Sequence, residues 1–153
     1  HAGKVTTALA VAALLAGAIA PPAETATSAA SAAWRTFDKG ELQRLVALGK
    51  TVFVDVTADW CLTCQVNKKL VLETAPVAGW LDRDDVIPMR ADWTRPDPAI
   101  SAYLASFGRY GIPFNAVYGP KASNGIVLPE LLTSNIVVET ASRASDRAAF
   151  AQR

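Results

Sequence analysis

"TVFVDVTADWCLTCQVNKKL", residues 51 to 70, joins an apolar run to the only two cysteines of the chain, Cys61 and Cys64. Thr51 to Val56 is β-branched and apolar on both faces, the pattern of a strand buried in the middle of a sheet. A helix is expected to follow from about Cys61 to Leu72. The cysteines therefore fall at a strand-to-helix junction, with polar Asp59 and Thr63 beside them.

Several uses for the pair compete. A structural zinc site needs about four soft or borderline ligands. The chain offers two cysteines and a single histidine, His1, and no carboxylates pair at ligand spacing, so no metal is expected. A permanent staple gains little, because closing a loop of about four residues removes little chain entropy. Two inert buried thiols remain an alternative. A redox couple suits the junction best, because free N–H groups and the helix dipole at a helix start stabilise a thiolate. Cys61, at the helix start, would then attack, and Cys64, one turn deeper, would resolve.

Asp55 lies in the apolar strand, six residues before Cys61 and facing the opposite way from Val54 and Val56. Burying a carboxylate is costly unless it is used or hydrogen-bonded. Desolvation should raise its pKa, which suits it to take the Cys64 proton through water. The competing reading is a structural acid bonded to a nearby backbone or hydroxyl group. Pro113, in "GIPF" (Gly111 to Phe114), starts a later strand. A cis Ile112–Pro113 bond would leave a backbone edge free to pair with an extended substrate, and a plain trans proline at a strand start is the alternative.

Outward from this centre the pattern alternates. "AWRTF" reads as a short edge strand. Asp38 caps a helix with Glu41 as capping-box partner, Leu42, Leu45 and Val46 on one face, and Gly49 as its stop. A short third helix is expected with Thr74 as cap and Pro76 in its first turn. Val86 to Trp93 reads as a strand, and Asp97–Pro98 opens a helix that Gly108 closes. Pro113 to Gly119 is a strand, "PKASNG" a turn and "IVLPE" its hairpin partner, before a last helix from about Ser134. The order βαβααβαββα predicts a small α/β domain with a mixed sheet.

The chain has 153 residues and a net charge of +1, with no basic run longer than Lys68-Lys69, so a nucleic-acid partner is not expected. Residues 1–22 differ from the rest. Val5 to Ala20 is an uncharged, Ala-rich run of 16 residues followed by Pro21-Pro22. A spanning helix needs about 20. The expectation is a truncated transmembrane helix, with a signal-peptide core or an Ala-rich helix packed on the domain as alternatives. Residues 23–33 read as a flexible linker, and residues 34–153 as the globular domain.

With "ADWCLTC", "MRADWTRPDPAI", "FGRYGIPFNAVYGP" and "LPELLT" in view, the chain resembles the thioredoxin superfamily. Within it, the resemblance is to the C-terminal periplasmic domain of the DsbD and ScsB-like family of thiol-disulfide interchange proteins. That resemblance implies a thioredoxin-like fold, a central mixed β-sheet flanked by helices with the CxxC at a helix N-terminus. It implies no cofactor beyond the Cys61–Cys64 disulfide. It implies a monomeric domain in the bacterial periplasm, tethered to the inner membrane. Electrons would come from a transmembrane carrier region of the same protein and pass to a disulfide-containing periplasmic partner through Cys61. Cys64 would resolve, Asp55 would be the buried acid and Pro113 the cis proline, with Trp60, Ile112 and Phe114 bordering the substrate.

Three positions depart from the family pattern. Phe114 stands where thioredoxins usually have threonine, and should narrow the partners accepted. Leu62-Thr63 replaces Gly-Pro between the cysteines. Lys68 and Lys69 occupy the stretch where DsbD domains can carry a second acid. The expected activity is protein-disulfide reduction. An oxidase or isomerase of the same fold and a non-catalytic thioredoxin-like adaptor are the alternatives.

Overall fold

The computed structural model describes residues 33–145. The expected apolar segment (1–22), nearly all of the linker and the chain's last eight residues lie outside them. Five strands form one mixed sheet in the order β1-β3-β2-β4-β5. They are β1 (Arg35–Thr36), β2 (Thr51–Thr57), β3 (Val86–Asp92), β4 (Phe114–Gly119) and β5 (Ala122–Val127). β1 and β2 run parallel to β3, whereas β4 is antiparallel to β2 and β5 to β4.

Helices cover both faces. α1 (Lys39–Ala47) and α4 (Pro98–Ala105) lie over one face. There Leu42, Leu45, Tyr103 and Leu104 pack on Val52, Val54, Val56, Met89 and Phe114. α2 (Leu62–Asn67), α3 (Val77–Leu81) and α5 (Ser134–Ala144) lie over the other. Val71, Leu72, Trp80 and Val137 pack there on Phe53 and Val117. β2 is buried along its whole length. Its even residues therefore face α1 and α4, and its odd residues, Phe53, Asp55 and Thr57, face α2 and its neighbours.

Both acidic caps form as expected. Asp38 accepts from the Glu41 N–H at 2.6 Å, and Asp97 accepts from the Ala99 and Ile100 N–H groups at 2.7 and 3.0 Å. Gly49 has φ +78, the left-handed conformation required past the end of α1.

Three expectations need correction. The helix of the cysteines is not one regular α-helix: α2 ends at Asn67 and continues as a π-helical turn, Lys68–Leu72. Thr74 does not cap α3. Its hydroxyl donates to the Lys69 carbonyl, closing the preceding helix, and α3 is preceded by Pro76, whose bond to Ala75 is cis. The hairpin turn is two residues, Pro120–Lys121, so β5 begins at Ala122 rather than near Ile126. Its polar start pairs because it is an edge strand. Gly125, at φ +81, leaves room where a Cβ would lie 2.6 Å from the Tyr118 ring.

Candidate active site

The loop leaving β2 delivers Cys61 to the position just before α2, in extended conformation. Its Sγ accepts from the Cys64 N–H at 3.2 Å, so the sulfur itself caps the helix. Cys61 and Cys64 form a disulfide with Cα atoms 5.2 Å apart. Both are covered in this state, Cys61 slightly less so, and Ala58 and Ile112 pack against them. The Ile112–Pro113 bond is cis. Pro113 is buried and Ile112 half-buried, which places the start of β4 beside the disulfide.

Trp60 stands out from the surface, 60% exposed. Its indole N–H donates to the Thr94 carbonyl at 3.2 Å. The Asp59 N–H donates to the Thr94 hydroxyl at 3.0 Å. Thr94 is held in turn by Asp92, which accepts from its N–H at 2.9 Å and from its hydroxyl. Those hydrogen bonds hold the Asp92 carboxyl below the usual carboxylate range. Trp60, Trp93, Tyr110 and Ile112 wall a groove of about 530 Å³ beside the cysteines.

Phe114 differs from expectation. It is 1% exposed, with its ring 5.6 Å from Tyr103 and 5.1 Å from Phe107, on the sheet face opposite α2. The residue after the cis proline points into the core, so its side chain does not border the substrate.

Asp55 lies under α2 and is 3% exposed. Its Cα partners across the sheet are Arg90 on β3 and Asn115 on β4, so the three make one row over the central strands. Arg90 Nε donates to Oδ2 at 3.2 Å and Asn115 Nδ2 to Oδ1 at 3.1 Å. Arg90 also stacks on the Trp34 ring at 4.0 Å and is about one-third exposed. Burial pushes the Asp55 carboxyl up, outweighing the opposing pull of Arg90, Lys68 and the Asn115 hydrogen bond. A cation one-third exposed to water cannot fully offset the desolvation of a carboxylate enclosed by the sheet. Lys68 also acts on Asp92, so of the two lysines after Cys64 it is the one directed at the site. Lys69 is exposed.

A thioredoxin-like family model matches residues 33–120. The chain belongs to the thioredoxin-like family. Comparison with curated protein sequences finds no match. Among solved structures, the C-terminal domain of Neisseria meningitidis DsbD is similar in its reduced form at 22% identity and TM-score 0.55, over 69% of this chain and 92% of that one. Its oxidised form is similar at 22% identity and TM-score 0.56, over 72% and 98%. A mutant thioredoxin from Halobacterium salinarum is similar at 16% identity and TM-score 0.54, over 74% and 91%. At these identities the likeness speaks to the fold.

A thioredoxin-like domain with this CxxC is a thiol-disulfide oxidoreductase by its architecture. Reduced Cys61 would gain from the Cys64 N–H that already donates to its sulfur. Asp55, enclosed and raised by burial, holds a proton more readily than an ordinary carboxylate. Sequence reading missed Arg90 and Asn115. The signal was the same as for Asp55, a polar side chain inside an apolar strand, in "VIPMRAD" and "FNAVYG". Which strand each would meet depends on a register that sequence alone does not fix. Among the described residues no cluster of potential metal ligands occurs.

Proposed function

We propose that the domain is a protein-disulfide reductase of the DsbD and ScsB-like kind, carrying electrons from a membrane carrier region of its own protein to periplasmic disulfides. The observation that carries the reading is the Cys61–Cys64 disulfide at a helix start, packed against Ile112 of a cis Ile112–Pro113 bond, with buried Asp55 on the sheet face that α2 covers. Support for the membrane link is the uncharged run Val5 to Ala20. Among the described residues no helix is long and apolar enough to cross a membrane.

In the forward step the Cys61 thiolate attacks one sulfur of the partner disulfide. A Cys61–partner bond forms, and the partner's other sulfur leaves as a thiolate and takes a proton from water. Asp55 then accepts the Cys64 proton, and the Cys64 thiolate attacks Cys61 Sγ. The Cys61–Cys64 bond forms, the Cys61–partner bond breaks, and the partner's second sulfur leaves with the electron pair and takes up the proton that Asp55 gives back. The partner gains two electrons and two protons, and a dithiol of the carrier region restores Cys61 and Cys64 by the same exchange in reverse. The half-exposed Ile112 and the Trp60 groove give an extended partner segment a surface beside the attacked sulfur.

The test has two arms. Cys64→Ala should trap a mixed disulfide at Cys61 with its partner, seen as a reducible band on a non-reducing gel. No adduct with any candidate partner would favour the adaptor alternative. Equilibration with a glutathione series should give a reducing potential. A value near about −120 mV, that of a strong oxidant, would overturn the reductase reading.

A further inference from the structure

Asn115 is the unexplained member of the Asp55 row on the sheet face that α2 covers. It sits in the central strand β4 at 1% exposure, where an aliphatic side chain would pack without cost. Its Nδ2 donates to Asp55, but its Oδ1 is buried and has no hydrogen-bond partner. A buried carboxamide with half its capacity unused calls for a reason.

The reason lies in what Asp55 must do. Resting on the reductase reading above, Asp55 accepts a proton from Cys64 and later gives it up, so it exists as carboxylate and as carboxylic acid within one cycle. Arg90 can serve only the first form, because a guanidinium has donors and no acceptor. Lys68, from the helix above, likewise favours the charged form, and Asp92 further along β3 is engaged with Thr94 and interacts with both cations. A protonated Asp55 therefore needs an acceptor, and the orphaned Oδ1 of Asn115 is one. A carboxamide presents a donor on one side and an acceptor on the other.

We infer that Asn115 is a two-way positioning residue for Asp55, donating through Nδ2 to the carboxylate and, after a half-turn of its amide, accepting through Oδ1 from the carboxylic acid. The step it supports is balanced. The Cys64 S–H bond breaks, its proton passes to Asp55 through water, the Asp55 O–H turns to Asn115, and the Cys64 thiolate attacks Cys61 Sγ as the Cys61–partner S–S bond breaks and the partner thiolate leaves. In either state one amide atom is left without a partner, and the Nδ2 donor seen in the structure favours the carboxylate. The amide turn gives the acid form a partner as well, so Asp55 can work in both directions.

The test uses the reduced domain and an aromatic disulfide, 5,5′-dithiobis(2-nitrobenzoate), whose two coloured thiolates report two steps. Release of the first follows attack by Cys61, and release of the second follows resolution by Cys64. Asn115→Leu, similar in volume but unable to donate or accept, should leave the first phase within about twofold. It should slow the second about tenfold at neutral pH, a fraction of the roughly 10²–10⁴ that base catalysis supplies. The pH inflection of the second phase should move upward, because the carboxylate has lost a donor. Asn115→Ser, which leaves a larger gap but keeps a group that both donates and accepts, should recover more of the second phase while being the less stable variant by urea denaturation. A second phase that follows stability instead, with the Leu variant equal to wild type and its inflection unmoved, overturns the inference. A wild-type protein that shows no second phase overturns the reductase reading itself, and the inference falls with it.

Discussion

Replacing Phe114 tests whether the residue after the cis proline selects partners or holds the core. A phenyl ring at 1% exposure removes roughly 150–250 Å² from water, about 4–6 kcal/mol at ~25 cal/mol/Å². The ring sits edge-on to Tyr103 and tilted against Phe107, in a face closed by α1 and α4, where little can collapse into the gap. Phe114→Ala is therefore expected to cost about 3–5 kcal/mol. Against a total stability of about 5–15 kcal/mol that is a large share. With a urea slope of about 1–3 kcal/mol per molar, the midpoint should fall by at least about 1 M. Phe114→Leu should lose less. Where the variants remain folded, the rate at which reduced Cys61 attacks a small aromatic disulfide should stay within about twofold of wild type, because the ring lies across the sheet from α2. An unchanged urea midpoint in Phe114→Ala, together with an altered range of protein disulfides reduced, would refute this reasoning and return Phe114 to the substrate surface.

Asp55→Asn should stabilise the domain at neutral pH and slow resolution by Cys64. Burial raises the Asp55 carboxyl in the folded state, so folding loses stability as pH rises from the unfolded carboxylate value through the raised folded value; urea midpoints should show the variant's gain above that window and none below it. Asn67→Ala should loosen the segment after β5, because buried Asn67 donates to the Glu130 carbonyl at 2.7 Å and accepts from the Leu132 N–H at 3.0 Å. Stranding those groups should cost about 1–3 kcal/mol, and amide exchange at Leu132 should accelerate selectively.

Much of this molecule is legible in short windows of sequence. Asp38 with Glu41 and Asp97 with Pro98 mark helix starts through bonds made within a few residues, so local spacing suffices to find them. Thr51 to Val56 announces a central strand because both its faces are apolar, and Asp55 stands out against that background. Arg90 and Asn115 were equally out of place in their strands. Their meaning depends on parallel and antiparallel registers set by partners 35 and 60 residues away. Phe114 misled because analogy treated the residue after proline as surface, whereas strand alternation sends it to the α4 side. Thr74 had the composition of a cap, but its hydroxyl is committed to the helix behind it. β5 begins earlier than its composition suggests because an edge strand tolerates Ser, Asn and Gly that a central strand would not.

Thr94 fastens the loop of the cysteines to the end of a different strand. One residue receives the Asp59 backbone through its hydroxyl and the Trp60 indole through its carbonyl, and Asp92 fixes its orientation. The angle at which Trp60 meets an approaching protein is thus written in residues 92–94, not in the CxxC motif. Descendants of this chain could acquire new partners by altering that short turn while the sulfur chemistry, the buried acid and the sheet stayed as they are. Recognition and reactivity are separable here, and they can drift at different rates.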